Sequence, residues 1–245
     1  MARTVNLKPL ETARATVRNC LNFTADALWP RRCHLCDAPG AMGLDLCPDC
    51  AGGLPWMPEA CPRCARPAVP DGGGCPCELL PASLDAVRAA FLYETPVDHW
   101  IPRLKFHGDV AVGRLLGELM VEGLGDAALP DVLVPVPLHT PRLRTRGYNQ
   151  AMELARPLAT RLRLRLDTRL LKRVKRTQAQ SELGLEARTA NLSDAFEVRE
   201  GRVPPRHVVL VDDVMTTGAT LQEAAWTLKD AGVARVDAWV CARVP

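Results

Sequence analysis

The chain has 245 residues, 47% of them apolar, which allows one large domain or a medium domain with a small one around a proper core. The net charge is +3, yet Pro141 to Arg176 holds twelve Arg and Lys against Glu153 and Asp167, a local +10 that leaves −7 for the rest. That concentration suits a polyanionic ligand, such as pyrophosphate or nucleic acid. No apolar run reaches the roughly 18 residues that a transmembrane helix needs. Arg14, Arg18 and Asn19 interrupt the apolar core a signal peptide would require. A soluble, cytoplasmic chain without stable membrane insertion is expected.

Residues 1–10 are expected to be loose. Glu11 to Leu28 reads as an amphipathic helix, with Val17, Cys20, Leu21, Thr24 and Leu28 near one face and Trp29-Pro30 ending it. Its expected role is to pack on the next module, with Cys20 as a small buried hydrophobe. Residues 1–30 form this first segment.

Residues 31–80 change character: Gly, Pro and Cys dominate, and such a stretch needs a metal to fold. Eight of the ten cysteines lie here. Cys33-His34-Leu35-Cys36 with Cys47-Pro48-Asp49-Cys50 makes one unit, and Cys61-Pro62-Arg63-Cys64 with Cys75-Pro76-Cys77 a second. Two cysteines one turn apart can aim both thiolates at one centre, and two such turns complete a tetrahedron. Zinc fits best, with an iron–sulfur cluster as the rival. Pairing within each unit gives a double zinc ribbon; an interleaved cross-brace is the alternative. Cys75-Pro76-Cys77 is one residue short of the usual knuckle and makes the second centre the weaker signal. His34 is an unneeded ligand.

Residues 84–245 read as an α/β domain. Strands are expected at Ala86–Tyr93, Val132–Pro137, Arg169–Val174, Val208–Asp212 and Val236–Ala242. Helices are expected at Val97–Phe106, Val110–Leu124, Asn149–Leu162 and Leu221–Lys229. Strands alternating with helices imply a mainly parallel sheet.

The chain is organised around His207-Val208-Val209-Leu210-Val211-Asp212-Asp213-Val214-Met215-Thr216-Thr217-Gly218-Ala219-Thr220. A buried strand runs into two acids, then a turn, then a helix start. Ligands of open α/β sheets bind at that edge, and a helix N-terminus favours phosphate. Gly218 lets the backbone approach closely. Asp212 and Asp213 suit vicinal ribose hydroxyls and can help hold Mg²⁺. A βα unit whose Asp and Thr only cap a helix is the plain alternative. The pattern resembles the phosphoribosyl-pyrophosphate (PRPP) motif of type I phosphoribosyltransferases.

Two other stretches complete the site. Pro135-Val136-Pro137-Leu138, then Arg142 and Arg146-Gly147-Tyr148-Asn149-Gln150, reads as a loop whose arginines can reach phosphate oxygens. Arg176-Thr177-Gln178-Ala179-Gln180-Ser181-Glu182-Leu183, with Arg188 and Asn191 to Phe196, reads as a polar hood that would exclude water. With Leu104-Lys105-Phe106 and the cysteine pairs, these motifs are similar to those of the ComF family, over nearly all of Leu28 to Arg243. The resemblance implies a type I phosphoribosyltransferase fold behind a double zinc ribbon, and PRPP binding with Mg²⁺. For some members it implies a part in importing single-stranded DNA during natural transformation.

Two functions follow as expectations. As an enzyme, the chain would hold the 5-phosphate of PRPP at Thr216, Thr217, Gly218, Ala219 and Thr220, and the ribose hydroxyls on Asp212 and Asp213. Arg146 and Lys105 would balance the departing pyrophosphate, and no general base or acceptor declares itself. As a competence protein, it would bind single-stranded DNA, through a surface that includes Arg161, Arg163 and Arg165, and would work beside a competence helicase. Tyr148 is the only aromatic in the basic stretch, which argues against strong base stacking.

Overall fold

The computed structural model describes residues 30–41, 43–68, 75, 77, 83–125, 127–174, 195–199, 201 and 203–245. The expected N-terminal helix and the hood from Arg176 to Asp194 lie outside the described residues. The chain divides into two compact units, Met1–Gly53 and Leu54–Pro245.

In the first unit the chain folds back at Cys33: the Cys33 N–H donates to Ala38 O at 2.8 Å and the Asp37 N–H to Cys33 O at 2.9 Å. Asp37 takes φ 61, which this tight turn requires. Helix α1 (Pro48–Gly52) then starts on Cys47, whose Sγ accepts from the Cys50 N–H at 3.5 Å. The second unit opens on the same knuckle. The Cys61 N–H donates to Arg66 O and the Ala65 N–H to Cys61 O, both at 2.8 Å, and Ala65 takes φ 54.

The rest of the second unit is a five-stranded, wholly parallel sheet. Its strands are β1 (Ala86–Leu92), β2 (Val132–Pro135), β3 (Arg165–Leu166), β6 (His207–Met215) and β7 (Arg235–Arg243), in the order β1-β7-β6-β2-β3. Strands β4 (Leu171–Arg173) and β5 (Phe196–Val198) form a separate antiparallel pair. The central strands carry apolar runs, Val208–Val211 in β6 and Ala238–Ala242 in β7, because both faces are covered. Val208 and Leu210 join Leu221, Ala224, Ala225 and Leu228 of α6 (Ala219–Asp230) in one core layer, with Leu171 and Phe196. Val209 and Val211 point to the opposite face by the two-residue period of a strand. Helices α3 (Val110–Gly123) and α5 (Gln150–Leu162) cover that face.

The capping residues explain where the covering helices begin. Asp109 accepts from the Val112 N–H at 3.1 Å and starts α3. Asn149 accepts from the Ala151 N–H at 3.0 Å and starts α5. Along α5, Ala151, Leu154, Ala155 and Leu158 are buried at helical spacing. Gly117 lets α3 approach closely, since a Cβ there would lie 2.7 Å from Leu154 O. Helix α2 (Val97–Phe106) buries Val97, Trp100, Ile101 and Leu104.

Three elements depart from the sequence expectation. The arginine loop is a short helix, α4 (Thr140–Arg146), with Pro141 in its first turn and Gly147 at φ 82 ending it. The central strand does not stop at the acids: β6 continues to Met215 because β7 keeps pairing with it, Val214 beside Ala242 and Met215 beside Arg243. The strand expected at Arg169–Val174 shrinks to Leu171–Arg173 and leaves the main sheet, since Asp167 turns the chain by accepting from the N–H groups of Arg169 at 2.8 Å and Leu170 at 3.0 Å.

Leu154 is wholly buried at the α3–α5 contact. Leu154→Ala is expected to cost about 2–5 kcal/mol of unfolding free energy, read by urea denaturation.

Candidate functional site

The site stands at the carboxyl edge of the sheet, where β6 passes through Asp212 and Asp213 into the turn before α6. Gly218 ends that turn at φ 80, and a Cβ there would meet Met215 Cε at 2.4 Å, so the position demands glycine twice over. Thr216 and Thr217 are exposed and Thr220 is half-buried. Thr217 Oγ1 lies 3.4 Å from the Ala219 N–H, a weak bond at a helix start that lacks a side-chain cap across its Gly218 position. Such a start is suited to an anion.

The two acids are adjacent, so the strand pleat sends them to opposite faces. The Asp213 N–H donates to Asp212 Oδ1 at 2.9 Å and the Val214 N–H to Asp213 Oδ1 at 2.6 Å. Asp213 is 4% exposed, and Lys105 Nζ from the end of α2 reaches its Oδ1 at 2.9 Å. Its Oδ2 is buried without a hydrogen-bond partner among the described residues. Asp212 is half-buried, and its carboxyl is raised to about 7, first by desolvation and then by the Asp213 charge. Lys105 and Arg173 oppose that rise.

Arg146 closes the Asp213 side. It ends α4, donates to Gln150 Oε1, and lies over the Phe106 ring at 5.6 Å. Desolvation lowers its pKa, and the Asp213 charge acts against that. The neighbouring residues of its motif act as struts. The Tyr148 hydroxyl donates to Leu104 O beside Lys105, and Asn149 Nδ2 donates to Val136 O at 3.0 Å. Lys105 and Arg146 thus stand on the Asp213 side of the acid pair.

Arg173 carries no motif, so the sequence marks it only as part of a strand. It sits on β4, its guanidinium lies over Phe196 at 5.3 Å, and the charges of Arg142 and Asp212 both reach it. Only folding brings β4 to Asp212. The structure also divides the basic stretch. Arg146 and Arg173 are at the acid pair, and the Arg142 charge reaches both of them. Arg165 opens β3 beside Val132, at the amino ends of the strands, with Arg161 and Arg163 just before it. There Arg161 pairs with Glu118 at 3.6 Å and Arg165 with Asp167 at 3.3 Å.

The cysteines form two tetrads, Cys33/Cys36/Cys47/Cys50 and Cys61/Cys64/Cys75/Cys77, each with all sulfurs within 4.8 Å of one another. Pairing is within units, and the interleaved cross-brace is excluded. Sulfur separations are 3.6 Å for Cys36–Cys47, 3.6 Å for Cys61–Cys77 and 3.4 Å for Cys64–Cys75. A tetrahedron of Zn–S bonds of about 2.3 Å implies sulfur separations of about 3.8 Å, so both tetrads fit zinc, the shortened knuckle included. The thiols behave accordingly. Burial opposes ionisation of Cys33, but the N–H groups of Cys47, Leu35 and Cys36 hold it near 6. The Cys77 N–H leads in holding Cys75 near 7. Neighbouring thiols, Cys47 first, push Cys50 up, while burial and then Cys75 push Cys77 up. Crowding of four sulfurs thus opposes ionisation of some of them, and a zinc ion among them would let all four ionise.

Two family models match the chain: a double zinc ribbon domain over residues 24–78 and a phosphoribosyl transferase domain over residues 145–245. A DNA utilization protein of Salmonella typhimurium is 33% identical over 222 residues, 87% of this chain and 97% of the relative. Competence protein F of Haemophilus influenzae is 38% identical over 159 residues, 62% of this chain and 69% of the relative. This chain belongs to the ComF family. The ComF-type competence protein ComFC of Streptococcus pneumoniae is 27% identical over 191 residues, covering 76% of this chain and 82% of that protein. The ComF-family chain therefore carries a phosphoribosyltransferase domain behind cysteine knuckles of zinc-ribbon type.

Two measurements follow. Purified protein is expected to hold about two zinc ions per chain by elemental analysis, and Cys77→Ser about one. Asp212 has a folded pKa of about 7 against a usual 3.8, so the folded chain keeps a proton that the unfolded chain has released between those values. Stability contributed by that proton is lost as pH rises across this window. Asp212→Asn removes the penalty, so its gain in Tm over the native chain should be larger at about pH 8 than at about pH 4.

Proposed function

We propose that the chain binds PRPP together with Mg²⁺ and transfers its phosphoribosyl group to an acceptor. The observation that carries this reading is the acid pair with Lys105 and Arg146 on one side, Arg173 on the other, and the Gly218 turn beyond it. Thr216, Thr217, Gly218, Ala219 and Thr220 would hold the 5-phosphate on N–H and hydroxyl donors. Asp212 and Asp213 would accept from the ribose hydroxyls. The half-buried Asp212 and the unpartnered Oδ2 of Asp213 supply oxygens of the kind that Mg²⁺ takes. Bound Mg²⁺ would offset negative charge on the pyrophosphate.

Lys105 and Arg146 would receive charge as the C1–O bond to pyrophosphate lengthens, so their contribution is electrostatic. The Lys105–Asp213 pair would have to loosen for ribose to bind, which frees the ammonium for the pyrophosphate. The domain limits 1–30, 31–80 and 84–245 and a cytoplasmic setting belong to the same proposal. No described helix is long and apolar enough to cross a membrane.

The names of the relatives, a DNA utilization protein and competence proteins, support a second, DNA-related role; the finer proposal is that the chain handles single-stranded DNA beside a competence helicase. Arg161, Arg163 and Arg165, at the opposite edge of the sheet from the acid pair, offer a surface for phosphates that leaves the PRPP site free. The two roles are compatible.

Calorimetry with PRPP and Mg²⁺ decides the first role. A saturable isotherm is expected for the native chain, with at least about tenfold weaker binding for Asp212→Asn and for Asp213→Asn. No isotherm for the native chain would remove it. Since Mg²⁺ favours ionised carboxylate, affinity should rise as pH passes through about 7, and Asp212→Asn should lose that dependence. For the second role, replacing Arg161, Arg163 and Arg165 by Ala should weaken single-strand binding and flatten its salt dependence. An unchanged affinity would mean that the DNA surface lies elsewhere.

A further inference from the structure

Arg243 ends β7 and is 3% exposed, yet all of its acceptors among the described residues are main-chain carbonyls. Its Nε donates to Cys64 O at 3.0 Å. Its Nη1 donates to Met215 O at 3.0 Å, to Thr216 O at 2.7 Å and to Val244 O. One planar guanidinium therefore joins a ligand residue of the second cysteine tetrad to the two residues that lead from β6 into the phosphate turn. A lysine could not span these points, because its single ammonium lacks the fork.

The bonds have a directional consequence. In a trans amide the C=O and the next residue's N–H point in opposite directions. With the carbonyls of Met215 and Thr216 drawn toward Arg243, the N–H groups of Thr216 and Thr217 are turned away from it. The cysteine knuckle is itself built onto the same core. Ala65 is 1% exposed in one layer with Leu84 and Val87, and the Val87 N–H donates to Pro62 O at 2.8 Å. A change of shape at Cys64 thus has a short, fully bonded path to Thr216. Arg243 also feels the charges of Cys64 and Cys75, although desolvation and Arg66 lower its pKa.

We propose that Arg243 is a positioning residue that couples the second cysteine centre to the sugar-phosphate turn. Metal held by Cys61, Cys64, Cys75 and Cys77 fixes the Cys64 carbonyl, Arg243 carries that order to Met215 and Thr216, and the turn is preset for a phosphate. The inference rests on the PRPP reading above. By linkage the coupling runs both ways, so a sugar phosphate in the turn must strengthen metal retention at the second centre.

The test uses the full chain loaded with zinc. The zinc affinity of each centre is measured by equilibrium competition with a colorimetric chelator, with and without saturating PRPP and Mg²⁺, and PRPP binding is measured in parallel by calorimetry. One of the two centres is expected to hold zinc about fivefold more tightly when PRPP is bound. Arg243→Lys, with its fold checked by circular dichroism, is expected to bind PRPP more weakly and to lose that gain. A native chain that binds PRPP while both zinc affinities stay unchanged would overturn the coupling, as would the full gain in folded Arg243→Lys. A native chain with no PRPP isotherm removes the PRPP reading and the coupling with it, which is a different result from an isotherm without a change in zinc affinity. Should Arg243→Lys fail to fold, the native zinc affinities alone decide.

Discussion

Two neighbouring carboxylates sit within a strand that is otherwise apolar and covered on both faces, and the rest of the site answers that problem. Like charges this close, and partly removed from water, cannot both ionise freely. The strand pleat separates them, and each face brings its own cation. Helix α2 delivers Lys105 to Asp213, and β4 carries Arg173 toward Asp212. The balance is incomplete, since Asp212 remains raised to about 7 and one oxygen of Asp213 has no hydrogen-bond partner among the described residues. This shortage of donors and cations is what the proposed ligand, a sugar phosphate with Mg²⁺, would make good.

The covering layers can be understood from that demand. Lys105 is the penultimate residue of α2, and its position depends on Leu104, wholly buried, and on the Tyr148 hydroxyl bonded to the Leu104 carbonyl. Tyr148 in turn follows Gly147, whose positive φ lets α4 end on Arg146 before Asn149 caps α5. A single pentapeptide thus ends one helix, starts the next, aims an arginine and braces a lysine. The uncapped Gly218 turn is the complement, a helix start kept open where the strand could have delivered a capping side chain.

Much of this was legible from the residues because it is local. The acid pair, the glycine of the turn and the cysteine pairs each encode their geometry within a few positions, and the alternation of apolar runs fixed the parallel sheet. What was not legible depends on partners distant in sequence. Nothing around Asp213 says that β6 continues three residues past Asp212; that follows from β7 pairing as far as Arg243. Arg142 to Arg146 reads as a loop because it has no apolar face, yet the seven residues Thr140–Arg146, with Pro141 in the first turn and Gly147 closing them, suffice for a short helix. Arg173 and Arg243 have no motif at all. Their roles come from the tertiary fold, which brings one to Asp212 and the other between Cys64 and Thr216.

The cysteine knuckles invite comparison with one another on the same grounds. Both use a bridge, Arg32 with Pro39 and Ala60 with Pro67, and a residue of positive φ four places after the first cysteine. Their surroundings differ in the residue that takes that φ. In the first knuckle it is Asp37, which solvent can reach; in the second it is Ala65, buried in the core layer of the phosphoribosyltransferase domain. The second knuckle has therefore become part of the domain that carries the acid pair, and a metal ion there would stabilise the floor of the Thr216–Thr220 turn as well as its own loop. That gives the shortened Cys75-Pro76-Cys77 pair a reason to keep four sulfurs together despite the lost residue: release of the metal would loosen Cys64, and with it the carbonyl that anchors Arg243.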